Sequence, residues 1–356
     1  MKSFKPKLLP MPLGSMPHLN AERAWEITLR QFPEIPAWPQ LPGRSFLENM
    51  YTQFSEGFPG IILQNDRIFV DRTFDLDCEV EQLCINYLAD DLDAFKIKEE
   101  HAAGLWKTKD ALRDHAPIAL KGQVTGPVSW GLMVVDQDRR PILYDDILGD
   151  LVARHLRMKA AWQESFLRQF TDQTIIMVDE PYMSSFGSAY VALDRPVVLE
   201  LLEEVFAGIN GLSGVHCCGN TDWGLLLDTS VDILSLDAFQ YAETLSLYPE
   251  QLGAFLARGG MIAWGIVPSG EELVTETADT LLERFERAIA NLENKGLRRE
   301  SLLESGFITP SCGAGRLLPA LAEQVVAMAR QVSSLARERY LGISLTSGAA
   351  SGSENS

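Results

Sequence analysis

With 356 residues, 46% of them hydrophobic, and a formal charge of −18, the chain can build a large core but offers no basic stripe for a nucleic-acid backbone. No apolar run reaches the 18 residues needed to span a bilayer, and residues 1–9 lack the apolar segment and cleavage site of a secretory signal. A cytoplasmic protein with neither nucleic-acid nor membrane partners is expected.

The pattern that accounts for most of the chain is a short apolar strand ending in Gly, Pro or a polar cluster, followed by an amphipathic helix, eight times over. Strands are expected at 7–13, 37–41, 119–124, 174–179, 214–218, 233–237, 261–267 and 307–310. Helices are expected at 21–31, 45–55, 145–169, 196–210, 223–228, 249–257, 275–294 and 317–337. This alternation predicts an α/β protein, a (β/α)8 TIM barrel forming one catalytic domain over residues 1–345. Residues 60–115 are too long for a simple connection between the second helix and the third strand. They read as an insertion: a hairpin around Asn65-Asp66, then acidic helical sequence with ten acidic and three basic residues from Asp71 to Glu100. The Gly-, Ser- and Ala-rich tail, 346–356, is expected to be disordered.

Five cysteines, two of them adjacent, do not make a disulfide framework and read as buried thiols or metal ligands. The most informative stretch is Val215-His216-Cys217-Cys218-Gly219-Asn220. Alternation along a strand turns His216 and Cys218 to one side and Cys217 to the other, into the helix layer. An inward His-x-Cys pair at the C-terminal end of a barrel strand offers two ligands to zinc, which favours imidazole nitrogen and thiolate sulfur. Thr309-Pro310-Ser311-Cys312-Gly313 supplies a third soft ligand at the same end, where active sites of this fold are built. Asp237 ends the intervening strand and stands either as a fourth, oxygen ligand or as an acceptor behind the histidine. The plainer reading of any one of these cysteines is a packed core thiol; shared parity and a shared barrel end favour the metal.

The chain resembles the catalytic barrel of cobalamin-independent methionine synthase, in the superfamily that also holds uroporphyrinogen decarboxylase and the zinc methyltransferases acting on coenzyme M. The carriers are Leu13-Gly14-Ser15-Met16-Pro17, Gly122-Gln123-Val124-Thr125-Gly126-Pro127, Val178-Asp179-Glu180-Pro181, His216-x-Cys218 and Pro310-Ser311-Cys312-Gly313, spread from about Leu9 to Arg330. The resemblance implies a zinc ion on His216, Cys218, Asp237 and Cys312, with Asp237 one methylene shorter than the family's Glu. It implies that Ser15 and Asp179 contact the amino-acid part of a homocysteine-like substrate.

Departures bear on the donor. The synthase is roughly twice as long, with a second barrel that helps bind polyglutamyl folate. Its proton-donating histidine after the seventh strand appears here as Val267, and a carboxylate near the second helix is replaced by Leu41-Pro42-Gly43-Arg44, where Arg44 favours a substrate carboxylate. Gln123 and Thr125 are candidate mouth residues, and Met177 and Trp264 are expected to fill the interior. The resulting expectation is a zinc-dependent methyltransferase acting on a small-molecule thiol, homocysteine-like or coenzyme M-like, with methylcobalamin or a corrinoid protein as donor. The alternatives are a metal-free enzyme of the uroporphyrinogen decarboxylase kind and a non-catalytic binding barrel.

Overall fold

The computed structural model describes residues 4–188 and 191–344; the tail expected to be disordered lies outside them. Among the described residues nine strands occur: β1 (Ile61–Gln64), β2 (Arg67–Val70), β3 (Leu120–Thr125), β4 (Val135–Asp136), β5 (Thr174–Asp179), β6 (Leu212–Cys217), β7 (Ile233–Leu236), β8 (Met261–Val267) and β9 (Gly306–Pro310). Six of them form one curled sheet in the order β3-β5-β6-β7-β8-β9, with every neighbouring pair parallel. Parallel neighbours need crossover connections, and helices such as Leu148–Leu167, Arg195–Phe206 and Ala278–Glu293 provide them.

The first two expected strands are not strands. Lys7 and Leu8 form a turn at positive φ, and the chain from Leu9 onward and residues 37–41 are extended, joined to the sheet edges by the isolated parallel bridges Pro10↔Ile308 and Ala37↔Lys121, and to each other by Ser15↔Gln40. Their prolines explain this, since Pro10, Pro12, Pro36, Pro39 and Pro42 have no N–H to give a ladder. On the second segment a side chain takes over. Gln163, from helix Leu148–Leu167, accepts from the Gln123 N–H at 2.9 Å and from Trp38 Nε1 at 2.9 Å, and donates to the Gln123 carbonyl at 2.9 Å. One glutamine thus does for Gln123 what a neighbouring backbone would have done.

The expected helix at 45–55 is a 3-10 turn, Phe46–Glu48, followed by further turns. Here Ser45, Asn49 and Thr52 bond local backbone groups: Asn49 Oδ1 accepts from Tyr51 N at 3.0 Å and Thr52 Oγ1 donates to Asn49 O at 3.2 Å. Such bonds compete with helix propagation. By contrast, helices Ala21–Gln31 and Pro249–Ala257 match the sequence expectation residue for residue. The hairpin at Asn65-Asp66 is also present. β1 pairs antiparallel with β2 across a turn in which both residues adopt positive φ, 52° and 53°, which Asn and Asp tolerate best after glycine. β4 then adds to β2 in parallel.

Alternation along the six-stranded sheet separates two apolar clusters. Ile175 and Met177 of β5, Leu212 of β6, Ile233 of β7, Met261 and Ala263 of β8 and Phe307 of β9 fill the inner face together with Leu9, Met11, Ile35 and Ala119. Their neighbours, Val178, Val215, Cys217, Leu234 and Ile308 among them, join the larger core beneath the helices. Met177 is inside as expected, its sulfur over Gly214, where a Cβ would come within 2.0 Å of it. Trp264 is not inside: it faces outward and packs edge-on against Phe285, with ring centroids 5.8 Å apart. No helix among the described residues is long and apolar enough to cross a membrane.

The extended segment at 37–41 is pinned from outside by Gly104, whose carbonyl also accepts from Trp25 Nε1 at 2.8 Å. A Cβ on Gly104 would meet the Pro39 carbonyl oxygen at 1.9 Å, and backbone cannot give way as a side chain can. Gly104→Ala is expected to cost about 3 kcal/mol, read as a lower denaturant midpoint at unchanged slope. A midpoint equal to wild type would show that the segment can shift freely.

Candidate metal centre

β6 begins Leu212-Ser213-Gly214 and ends Val215-His216-Cys217, so position 216 shares the inner face with Leu212 and Gly214. Register aligns it with functional neighbours: Thr125 is opposite Asp179, Asp179 opposite His216, and His216 opposite Ser235. A single rung of four adjacent strands therefore carries Thr125, Asp179, His216 and Ser235. Cys218 follows β6 and Cys312 follows β9. One imidazole nitrogen of His216 and the sulfurs of Cys218 and Cys312 all lie within 4.8 Å of one another, the one such group of His, Cys, Asp and Glu among the described residues.

Each of the three is held by named partners. His216 Nδ1 is 2.9 Å from Ser235 Oγ, whereas its Nε2 is buried and has no hydrogen-bond partner. With the proton on Nδ1, the Nε2 lone pair is available to a ligand. Cys312 is fixed through its backbone by Ser269, whose hydroxyl donates to the Cys312 carbonyl at 2.7 Å and accepts from the Cys312 N–H at 3.2 Å. Donation from Cys312 holds the Cys218 thiol far below the usual cysteine range, while the same sulfur pairing, with burial, pushes Cys312 up. The pair thus shares one proton, which a divalent cation with soft-ligand preference would replace. Two thiol sulfurs and an unbonded buried imidazole nitrogen suit zinc.

Cys217 behaves differently although it is adjacent. It lies in the outer core, donates to the Gly219 carbonyl at 3.4 Å, and burial pushes its thiol up to about 12. The expected division between neighbours is what the structure contains.

The other sequence-derived candidates divide. Asp237 is outside the three-residue group; its Oδ1 caps helix Ala238–Leu245 by accepting from Gln240 N at 3.0 Å, and burial pushes its carboxyl up to about 6. Ser235, which the sequence reading overlooked, is the group behind the histidine. Asp179 is next to His216 on the rung, and burial raises its carboxyl against the pull of His216 and Lys121. Ser15 is on the rim, where its Oγ accepts from Gly315 N at 3.3 Å and its carbonyl from Ala314 N at 3.1 Å. Gln123 is committed inside the sheet, accepting from Lys121 Nζ at 3.0 Å and donating to Trp38 O at 3.3 Å. Thr125 donates to the Met50 carbonyl at 2.6 Å. Arg44 is engaged by the buried Glu48, with 2.7 Å between Nη1 and Oε1, so it is not a free receptor for a substrate.

Two further buried ions escaped the sequence reading. Lys121, 1% exposed, donates to the Leu13 carbonyl at 2.6 Å inside the sheet, and burial pulls its ammonium down to about 8. Glu180 accepts from Val128 N at 2.9 Å, Ser129 N at 2.8 Å and Ser129 Oγ at 2.6 Å, stitching the end of β5 to the start of helix Pro127–Met133. Burial outweighs those bonds and pushes its carboxyl up to about 7. A Cβ at Gly126 would meet its Oε1 at 2.2 Å. The motif stretches at 122–127 and 178–181 are thereby one structural unit.

No family model matches the sequence, and no curated protein matches it. Solved structures do resemble the fold. A B12-independent methionine synthase from Shewanella sp. W3-18-1, solved with selenomethionine, aligns at a TM-score of 0.59 and 15% identity, covering 94% of this chain and 99% of that one. A methyltransferase from Methanosarcina mazei aligns at a TM-score of 0.53 and 13% identity, covering 88% and 86%. The Shewanella chain is thus of similar length, so a doubled chain is not a condition of this likeness. At these identities what is shared is the fold alone.

The sulfur chemistry is open to direct measurement. At pH 6 in the metal-free protein, iodoacetamide is expected to alkylate Cys218 ahead of the exposed Cys78 and to leave Cys217 unmodified, because Cys218 is held as thiolate there while burial pushes the Cys217 thiol up. Peptide mass mapping over time reads the order; early labelling of Cys217 would contradict the described facing.

Proposed function

We propose that the chain is a zinc-dependent methyltransferase that moves a methyl group onto the sulfur of a small thiol, with methylcobalamin or a corrinoid protein as donor. In this reading the segments around Pro10 and Ala37 close the sheet into an eight-membered (β/α)8 ring, and His216, Cys218 and Cys312 hold the metal at its mouth. The observation that carries the proposal is the buried, unbonded Nε2 of His216 in a group with two sulfurs. When bound there, zinc would supply a Lewis acid with a free position for the acceptor sulfur as thiolate.

The protein's own residues do the rest. A free thiol with pKa about 8.5 is already roughly one-tenth thiolate at about pH 7.5, so complete ionisation gains only about tenfold there, ~1.4 kcal/mol. Orientation is the larger lever, since alignment of sulfur and methyl carbon can contribute ~7–11 kcal/mol. Ser235 on His216 and Ser269 on Cys312 fix the donors, and Asp179 beside them is suited to an amine on the acceptor. Val267 is buried and carries no proton, in keeping with a corrinoid donor: departing cobalt needs no protonation, whereas a departing folate amine does.

Purified protein is expected to contain about one zinc per chain, and Cys218→Ala or Cys312→Ala to lose both zinc and methyl transfer to thiols. Cys217→Ala is expected to retain both. Equal loss in all three variants, or zinc-free wild type after anaerobic purification, would sink the proposal. Methylcobalamin tested beside a methylated folate decides the donor. Zinc affinity is expected to rise with pH. Cys218 is already deprotonated, but Cys312, its pKa raised, must shed its proton on binding, so affinity gains about tenfold per pH unit between pH 6 and 8. Competition titration with a chromophoric chelator measures that slope.

A further inference from the structure

Away from the six-stranded sheet, the small sheet of the inserted segment ends on an open edge. β1 is its outermost strand, since the order is β1-β2-β4, and Ile62 and Leu63 on it are 37% and 36% exposed. An exposed edge strand offers its main-chain donors and acceptors to any strand that can align with them, and proteins normally blunt such an edge with charge, proline or a bulge. β1 has none of these. From Phe58 to Gln64 no residue is charged, the single proline, Pro59, precedes the strand, and pairing with β2 runs without a shift of register.

Register decides which groups face outward. The two-residue turn at Asn65-Asp66 makes Gln64 and Arg67 a hydrogen-bonded pair, and beyond the strands the Asp71 N–H donates to the Gly60 carbonyl at 2.8 Å. The main-chain groups of Gly60, Ile62 and Gln64 therefore turn toward β2, and those of Ile61 and Leu63 turn away from it. Of the outward groups, the Ile61 N–H reaches the Phe58 carbonyl at 3.3 Å; the Leu63 N–H and carbonyl and the Ile61 carbonyl face open space. A second β1 laid antiparallel with Ile62 opposite Ile62 meets this pattern with its own, because each Leu63 N–H then points at the Ile61 carbonyl of the other copy. Charge selects the same alignment. The Glu79 carboxylate is fixed at the start of β1, accepting from the Gly60 N–H at 2.6 Å. Arg67 is opposite the end of β1, is exposed, and has no ion pair or side-chain hydrogen bond among the described residues. Antiparallel pairing brings the start of one strand to the end of the other, so Arg67 of each copy approaches Glu79 of its mate. A chain of net charge −18 repels its copies over most of its surface, and an uncharged strand with opposite charges at its two ends is where that repulsion is absent.

We propose that β1 is a self-association edge, through which two copies of this chain pair across a two-fold axis at Ile62 into one continuous sheet of order β4-β2-β1-β1-β2-β4. Such a contact is self-complementary, as a two-fold interface must be. Four residues a side make a small interface, so the dissociation constant is expected on the order of 10 µM. The proposal is independent of the metal and of the reaction.

The test is sedimentation equilibrium of the full chain from about 1 to about 200 µM, where wild type is expected to pass from monomer to dimer. Leu63→Pro removes an outward N–H and no ladder bond, and Ile62→Lys sets two ammonium groups face to face. Each is expected to weaken the dimer about tenfold or more, with the circular dichroism spectrum of the folded chain retained. Arg67→Glu should weaken it severalfold, and adding Glu79→Arg should restore it. Register is read by cross-linking on a Cys78→Ser background. Ile62→Cys is expected to give a disulfide-linked dimer under mild oxidation and Gln64→Cys is not, because position 62 faces itself whereas position 64 faces Gly60. A monomer at every concentration, a dimer indifferent to both Leu63→Pro and Ile62→Lys, or equal cross-linking at positions 62 and 64 overturns the proposal.

Discussion

β6 and β9 are three strand spacings apart, about 14 Å in a flat sheet, yet the sulfurs that follow them lie within 4.8 Å of each other and of His216. Curvature of a parallel sheet is therefore the constraint on which the site depends. Curvature in turn needs a filled inner face, and the inner cluster from Leu9 to Phe307 provides it in layers beneath the rung that carries His216. Above those layers the inward positions change from apolar to polar: Met177 gives way to Asp179, Gly214 to His216 and Ile233 to Ser235. Packing below and chemistry above are thus consecutive inward positions of the same strands.

Burial of charge around this rung follows a consistent logic. Lys121, Asp179, Glu180 and Asp237 are shifted toward their neutral forms by loss of water, as a low-dielectric interior demands. Lys121 is answered by the Leu13 carbonyl, Glu180 by the Val128 and Ser129 amides and Asp237 by the Gln240 amide. His216 Nε2 is the exception among the rung's nitrogens and oxygens, and a buried acceptor without a donor costs about 1–3 kcal/mol. Its neighbours' sulfurs give that cost a chemical purpose.

Much of this was legible in the sequence, because period-two alternation is a local signal. It separated Cys217 from His216 and Cys218, located β5 and β8 to the residue, and put Met177 inside. It failed where alternation is not the deciding term. Trp264 lies at an outward position of β8, a parity that could have been counted. The proline-rich segments at 7–13 and 37–41 have strand-like hydrophobicity but lack the donors for a ladder. Asp237 looked like a ligand because it ends a strand; it also begins a helix, and an aspartate at that position caps it. Ser235 and Lys121 gave no signal at all, since their roles come from neighbours distant in sequence.

Gln163 carries a consequence for motion. The amide at Gln123 is satisfied by a rotatable side chain and not by an adjoining main chain, so when Gln163 turns away the wall at β3 is closed by the main-chain bonds of Lys121 with Pro36 and Trp38 and by the Gln123 side chain on the Trp38 carbonyl. A change at that seam leaves all six strands paired, since β3 keeps its ladder with β5.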